Sequence, residues 1–150
     1  MHLKKILLII AVLLPITALG VKNRCIGLWE TKENGSVVNI FQNGSKYFGE
    51  IVWLNDTYTK NNKVVRDIYN PNKKDSEKPL LGKVILKNFV EKSNHILESG
   101  TVYNPHNGKT YKCIIKAEDN VLKVKGYIGV PFFGSTETWM LRTRIYNNKS

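Results

Sequence analysis

Apolar and polar positions alternate along much of this chain. Tyr111, Cys113, Ile115 and Ala117 fall on one set of every second position, and Thr110, Lys112, Ile114 and Lys116 fall on the other. Ten residues later Leu122, Val124 and Ile128 oppose Val121, Lys123, Lys125 and Tyr127, and earlier Val84 and Leu86 oppose Lys83, Ile85 and Lys87. A period of two belongs to a strand with one packed face and one wet face. The pairs Asn34-Gly35, Asn43-Gly44, Asn107-Gly108 and Asp119-Asn120 separate runs rich in Val, Ile, Tyr, Phe and Trp, which is the punctuation of consecutive antiparallel hairpins. The pattern predicts strands over 27–31, 36–42, 46–54, 83–89, 95–103, 109–117, 121–128 and 136–146, and no helical period of comparable length competes with them.

About eight short strands joined mostly by tight turns predict an all-β fold, an antiparallel up-and-down barrel whose closure removes exposed sheet edges. A two-sheet sandwich is the structural rival. An outer-membrane barrel is disfavoured, because its strands approach ~10 residues with flanking aromatic girdles, whereas this chain has shorter strands and ends in Asn147-Asn148-Lys149-Ser150.

Two segments depart from the pattern. Residues 55–79 form a polar connection, longer than the usual ~4–6 residues, in which Asp56, Asp67, Asp75 and Glu77 largely balance the basic residues. That composition favours a packed surface loop over a lid. The other segment, 127–134, is the apolar connection Tyr127-Ile128-Gly129-Val130-Pro131-Phe132-Phe133-Gly134, with two readings: a rim that rings a cavity mouth or touches a partner, or a plug folded over the core.

The first twenty residues read as a targeting signal. Lys4 and Lys5 precede the apolar run Ile6 to Leu14, then Pro15, and Ala18-Leu19-Gly20 places small residues before a cut at Val21. The run is too short to span a bilayer, and no later stretch approaches the ~20 apolar residues of a transmembrane helix. The expectation is an exported protein, periplasmic or secreted, with residues 1–20 as signal peptide and 21–150 as a single β-barrel domain. Lys22-Asn23-Arg24 before Cys25 lacks the small and apolar residues of a lipoprotein signal.

Losing Lys4 and Lys5 takes the formal charge from +11 to +9. A basic surface suits anionic partners such as an envelope component, but the lysines are scattered and no recognition helix, zinc spacing or basic-aromatic signature points to specific nucleic-acid binding. Cys25 and Cys113 permit a disulfide in an exported protein, worth about 4 kcal/mol in the chain-entropy model. The alternative is two buried apolar thiols.

Five stretches, taken in order, resemble a known family: Gly27-Leu28-Trp29; Tyr47-Phe48-Gly49-Glu50-Ile51-Val52-Trp53; Asn70-Pro71 with Lys78-Pro79-Leu80-Leu81-Gly82; Tyr103-Asn104-Pro105-His106-Asn107-Gly108-Lys109-Thr110-Tyr111; and Leu122 to Gly129 through Thr136-Glu137-Thr138-Trp139. The resemblance is to the bacterial family catalogued as domain of unknown function 2147. It implies export and a fold similar to the calycins, the lipocalin-like barrels, and it supplies no activity and no catalytic residues. Calycins pair a Gly-x-Trp with a basic side chain of the last strand, which implies that Trp29 is covered by Arg142 or Arg144 in a structural role. Members often carry cysteines where this chain has Phe48 and Tyr127, so no disulfide carries over.

Chemistry beyond binding is sparse. His95 and His106 are isolated, so no metal or cofactor is implied. No Gly-x-Ser-x-Gly turn occurs, and neither cysteine sits beside a recognisable base. Asp67, Asp75, Glu77 and Glu137 read as solvated or turn residues, and the Tyr-Asn-Pro sequences at 69–71 and 103–105 as turn openers. The favoured function is non-enzymatic binding of a small apolar or amphipathic ligand inside the barrel by Trp53, Tyr111, Tyr127, Phe132, Phe133 and Trp139. The alternative is an envelope or protein interaction module acting through the basic outer surface and the 127–134 loop.

Overall fold

The computed structural model describes residues 22–31, 35–55 and 64–143. Within them the alternating runs form β1 (Gly27–Thr31), β2 (Ser36–Asn43), β3 (Lys46–Leu54), β4 (Val84–Ser93), β5 (Ile96–Asn104), β6 (Lys109–Glu118), β7 (Val121–Tyr127) and β8 (Ser135–Arg142). Each strand pairs antiparallel with the next, and β1 pairs with β8, so the sheet closes into a barrel and the sandwich is excluded. The signal segment 1–20 lies outside the described residues.

Side-chain parity decides which face is which. On β6, Cys113, Ile115 and Ala117 are buried while Lys112 and Lys116 are exposed, and on β7 Leu122 and Val124 point inward between half-buried Lys123 and Lys125. The apolar face is therefore the interior, and the outer face carries lysines, the reverse of a lipid-facing barrel.

On β4 the strict alternation fails. Ile85 and Leu86 are both buried, as is Phe89, and Val84 is only half-buried. Asn88 has a φ of 62°, and the register against β3 slips twice between Tyr47 and Glu50. These irregularities turn successive side chains to the same side, as bulges do.

One end of the barrel is plugged. The segment 22–26 crosses it, with Arg24 N donating to Asn94 O at 2.6 Å, Asn23 Nδ2 to Ser93 O at 2.8 Å and Trp29 Nε1 to Cys25 O at 2.8 Å. Beneath it Trp29, Tyr47, Phe89, Leu97, Ala117 and Leu122 form a continuous core. Gly100 makes the floor possible: a Cβ there would sit 2.3 Å from Cγ of Phe89, so the ring lies directly on bare backbone.

The opposite end carries Gly35, Asn55 and residues 64–83, 105–108 and 128–134. Within 64–83 a helix of four residues, α1 (Lys73–Ser76), is capped by Asn72, whose side chain accepts from Lys74 N, and an isolated bridge joins Arg66 to Pro79. Residues 64–83 are packed, as the sequence suggests, but they pack onto the barrel mouth.

Candidate functional site

Between the plug and the mouth the barrel encloses a cavity of about 510 Å³. Its lower wall is apolar, from Ile51, Ile85, Val102, Val124 and Trp139, and its upper wall comes from Val65, Arg66, Ile68, Tyr69 and Leu80 of the 64–83 segment with Pro105 and His106 of the facing turn. An eight-stranded barrel is just wide enough to be filled by side chains or to hold one small ligand, and here the mouth half is left open.

A buried polar cluster fixes the segment over the mouth. Asp67 is fully buried and accepts from Lys83 Nζ at 2.8 Å, Tyr103 Oη at 2.7 Å and Asn70 Nδ2 at 2.6 Å. The Lys83 ammonium lies 4.7 Å from the centroid of the Tyr103 ring. Burial and then the Asp67 hydrogen bond push the Tyr103 hydroxyl well above the usual phenol range. Backbone bonds reinforce the cluster: Asp67 N donates to Lys78 O at 3.1 Å and Leu80 N to Val65 O at 2.9 Å. Gly108, at φ +67°, lies so close to Tyr69 that a Cβ would sit 1.9 Å from the Tyr69 carbonyl oxygen. The two Tyr-Asn-Pro sequences thus meet at one joint, and Asp67, read as a solvated or turn residue, opens the turn to Asn70 but is a buried anchor rather than a solvated side chain.

Glu137 corrects the same reading. It lines the cavity, and its Oε2 accepts from Trp139 Nε1 at 3.0 Å. Nearby, Thr31 Oγ1 and Ser36 Oγ, 2.9 Å apart, add a second polar spot to the wall.

The aromatic residues expected to bind a ligand divide. Tyr111 and Trp139 line the cavity. Trp53 is not among the lining residues; its ring lies 4.7 Å beneath the guanidinium of Arg142. Tyr127 is half-buried outside the cavity wall. Phe132 and Phe133, in a single 3₁₀ turn at 131–133, are 84% and 80% exposed, so the loop is not a plug. They stack edge to face with centroids 5.1 Å apart.

Trp29 is buried as expected, but its register neighbour on β8 is Leu141. Arg142 approaches Glu30, with Nε 3.8 Å from Oε2, on the side of β1 opposite the inward Trp29 and Thr31. Its stacking partner is therefore Trp53, and Arg144 lies outside the described residues.

Cys25 and Cys113 are both free and buried. Cys25 Sγ and Ala117 N both point to the His95 carbonyl, at 3.6 Å and 2.8 Å. The bridge that the sequence permits is not formed. Burial pushes the Cys25 thiol up to about 12, and burial with the neighbouring Glu137 charge does the same for Cys113. Among the described residues no three His, Cys, Asp or Glu side chains cluster as metal ligands would.

A model of the family described as "Uncharacterized protein conserved in bacteria (DUF2147)" matches residues 27–141. Among solved structures the chain is similar to protein HP1028 from Helicobacter pylori, described as belonging to the lipocalin family. The two share 25% identity at a TM-score of 0.70, over 79% of this chain and 82% of that one. No curated protein matches the chain.

Proposed function

Because the chain belongs to the bacterial family DUF2147 and closes a lipocalin-like barrel, we propose that it is an exported binding protein that holds one small apolar or amphipathic molecule. The observation that carries this reading is the cavity of about 510 Å³, within the ~300–1,000 Å³ range of ligand pockets. Its walls are mainly aliphatic and aromatic, suited to retention rather than bond chemistry. Export rests on the layout of residues 1–20.

The size of the hydrophobic term limits what the walls alone achieve. A ten-carbon chain gains about 8 kcal/mol at ~0.8 per methylene, and association costs at least ~4. A bare alkyl chain therefore binds at roughly millimolar strength. Useful affinity needs a polar anchor as well.

Native mass spectrometry of protein purified from its own host tests the proposal. Val124 is buried in the cavity wall, so Val124→Phe fills part of the space. A small-molecule adduct on the wild type that Val124→Phe loses is the expected result. An adduct kept by both, or found on neither, counts against the cavity as the binding site.

A second reading is favoured by the exposure of Ile128, Val130, Phe132 and Phe133 beside the mouth. On a basic protein such a loop suits an anionic membrane surface, with the aromatic rings inserted among the head groups.

A further inference from the structure

Glu137 is out of keeping with the walls around it. It sits two residues inside Ser135, where β8 begins at the mouth, and two residues before Trp139. It pairs in register with the buried Val124. Roughly 7 Å of strand therefore separates it from the entrance. The indole of Trp139 donates to its Oε2 at 3.0 Å. No cationic side chain among the described residues forms an ion pair with it. Arg66, on the cavity wall with His106, belongs to the mouth segment and donates to the Glu77 carbonyl.

A carboxylate at the wall of an apolar cavity is costly to desolvate unless a donor or cation meets it. When a ligand excludes water there, an apolar group against Glu137 leaves the indole of Trp139 as the donor to a carboxylate that can accept more, a second carboxylate repels it, and an ammonium adds a charge-assisted hydrogen bond. The net positive charge of the chain favours anions, but that field acts through solvent and is screened over ~8 Å at physiological salt. A head group in contact with Glu137 feels the carboxylate far more strongly.

We propose that Glu137 is the head-group site of the cavity and that its ligand is an amphipathic amine, the cationic nitrogen at Glu137 and the apolar part toward the mouth. This rests on the cavity reading and deepens it. The apolar part then lies against Leu80, Ile68 and Tyr69 of the mouth segment, all of which line the cavity.

Calorimetric titration of the purified protein with decylamine, decanol and decanoate separates the possibilities, since the three probes share a chain and differ in head group. Decylamine is expected to bind at least about tenfold more tightly than decanol, with decanoate weakest. Glu137→Gln should remove the preference for decylamine over decanol, and Glu137→Asp should restore part of it. Equal binding of amine and alcohol, a preference for decanoate, or an amine preference that survives Glu137→Gln overturns the head-group assignment and leaves the cavity reading standing. Failure of all three probes to bind the wild type removes both. The comparison among probes on the wild type holds even if a variant folds poorly.

Discussion

Replacing Asp67 with asparagine keeps the size of the side chain and removes the charge that Lys83 pairs with. The carboxylate is fully buried, and its three donors stand at 2.6, 2.7 and 2.8 Å. Breaking a buried pair by deleting one partner costs about 3–5 kcal/mol. Lys83 keeps 21% of its side chain in water and its ammonium stays over the Tyr103 ring, so about 3 kcal/mol is expected, at the low end. The eight-strand ladder closes without this segment. The loss should therefore appear first as local opening of residues 64–83. Hydrogen exchange read by mass spectrometry reports it: the amides of Asp67, Asn70 and Leu80, bonded to Lys78, Asp67 and Val65 carbonyls, should exchange roughly a hundredfold faster at ~1.4 kcal/mol per tenfold. Amides of β5 and β6 should keep most of their protection. Tyr103→Phe, which removes one hydrogen bond worth ~1 kcal/mol, should produce a smaller change in the same peptides. Unchanged exchange over 64–83, or equal loss across the strands, would mean that Asp67 does not anchor the mouth.

Other outcomes follow from the floor, the thiols and the exposed loop. Gly100→Ala should lower stability by about 1–3 kcal/mol in urea denaturation, and Phe89→Leu in the same chain should recover part of it; two independent, additive losses would argue against the contact. Denatured, unreduced protein should titrate two free thiols, and native protein almost none within minutes; a single bridge would leave zero in both. Because the folded thiols are raised to about 12 above an unfolded value near ~8.5, the stability they contribute is complete below that value and is lost as pH rises toward 12. Tyr47, raised to about 12 by burial and by donating to Glu91, adds to the loss above pH ~10. The urea midpoint should fall steadily from pH 8 to 11, and a flat profile would contradict this. Vesicles rich in anionic lipid should carry the wild type to the top of a flotation gradient at low salt, and Phe132→Ser with Phe133→Ser should lose about 3–6 kcal/mol of apolar insertion; wild type remaining at the bottom would end the membrane reading.

Parity along a strand is a local property, and it was legible. Cys113, Ile115, Ala117, Leu122 and Val124 are buried where the alternation puts them, and Tyr111 and Trp139 reach the cavity by the same rule. Parity fails where the backbone leaves the regular pleat, as at Asn88, since one residue there inverts the faces that follow. It also says nothing about level along the barrel axis, which is why Cys25 and Cys113 share an interior without meeting. Glu137 shares the parity of Trp139, so its inward position was available from the spacing, while its acidic side chain pointed to solvent. Asp67 had no such signal. It lies in a segment without period, and its partners Lys83 and Tyr103 are 16 and 36 residues away, a distance only the folded chain closes.

Every ladder but one joins strands consecutive in the chain; the exception sets Leu28 opposite Arg142. That seam makes the monomer conditional on its last strand. Until residues 135–142 arrive, β1 and β7 each present an unpaired row of amides and carbonyls to any other chain. A message cut short before Ser135 would therefore encode a curved sheet with two open edges, which another copy of the same fragment satisfies as readily as the missing strand does. The step that finishes the barrel also determines whether the chain remains alone or polymerises.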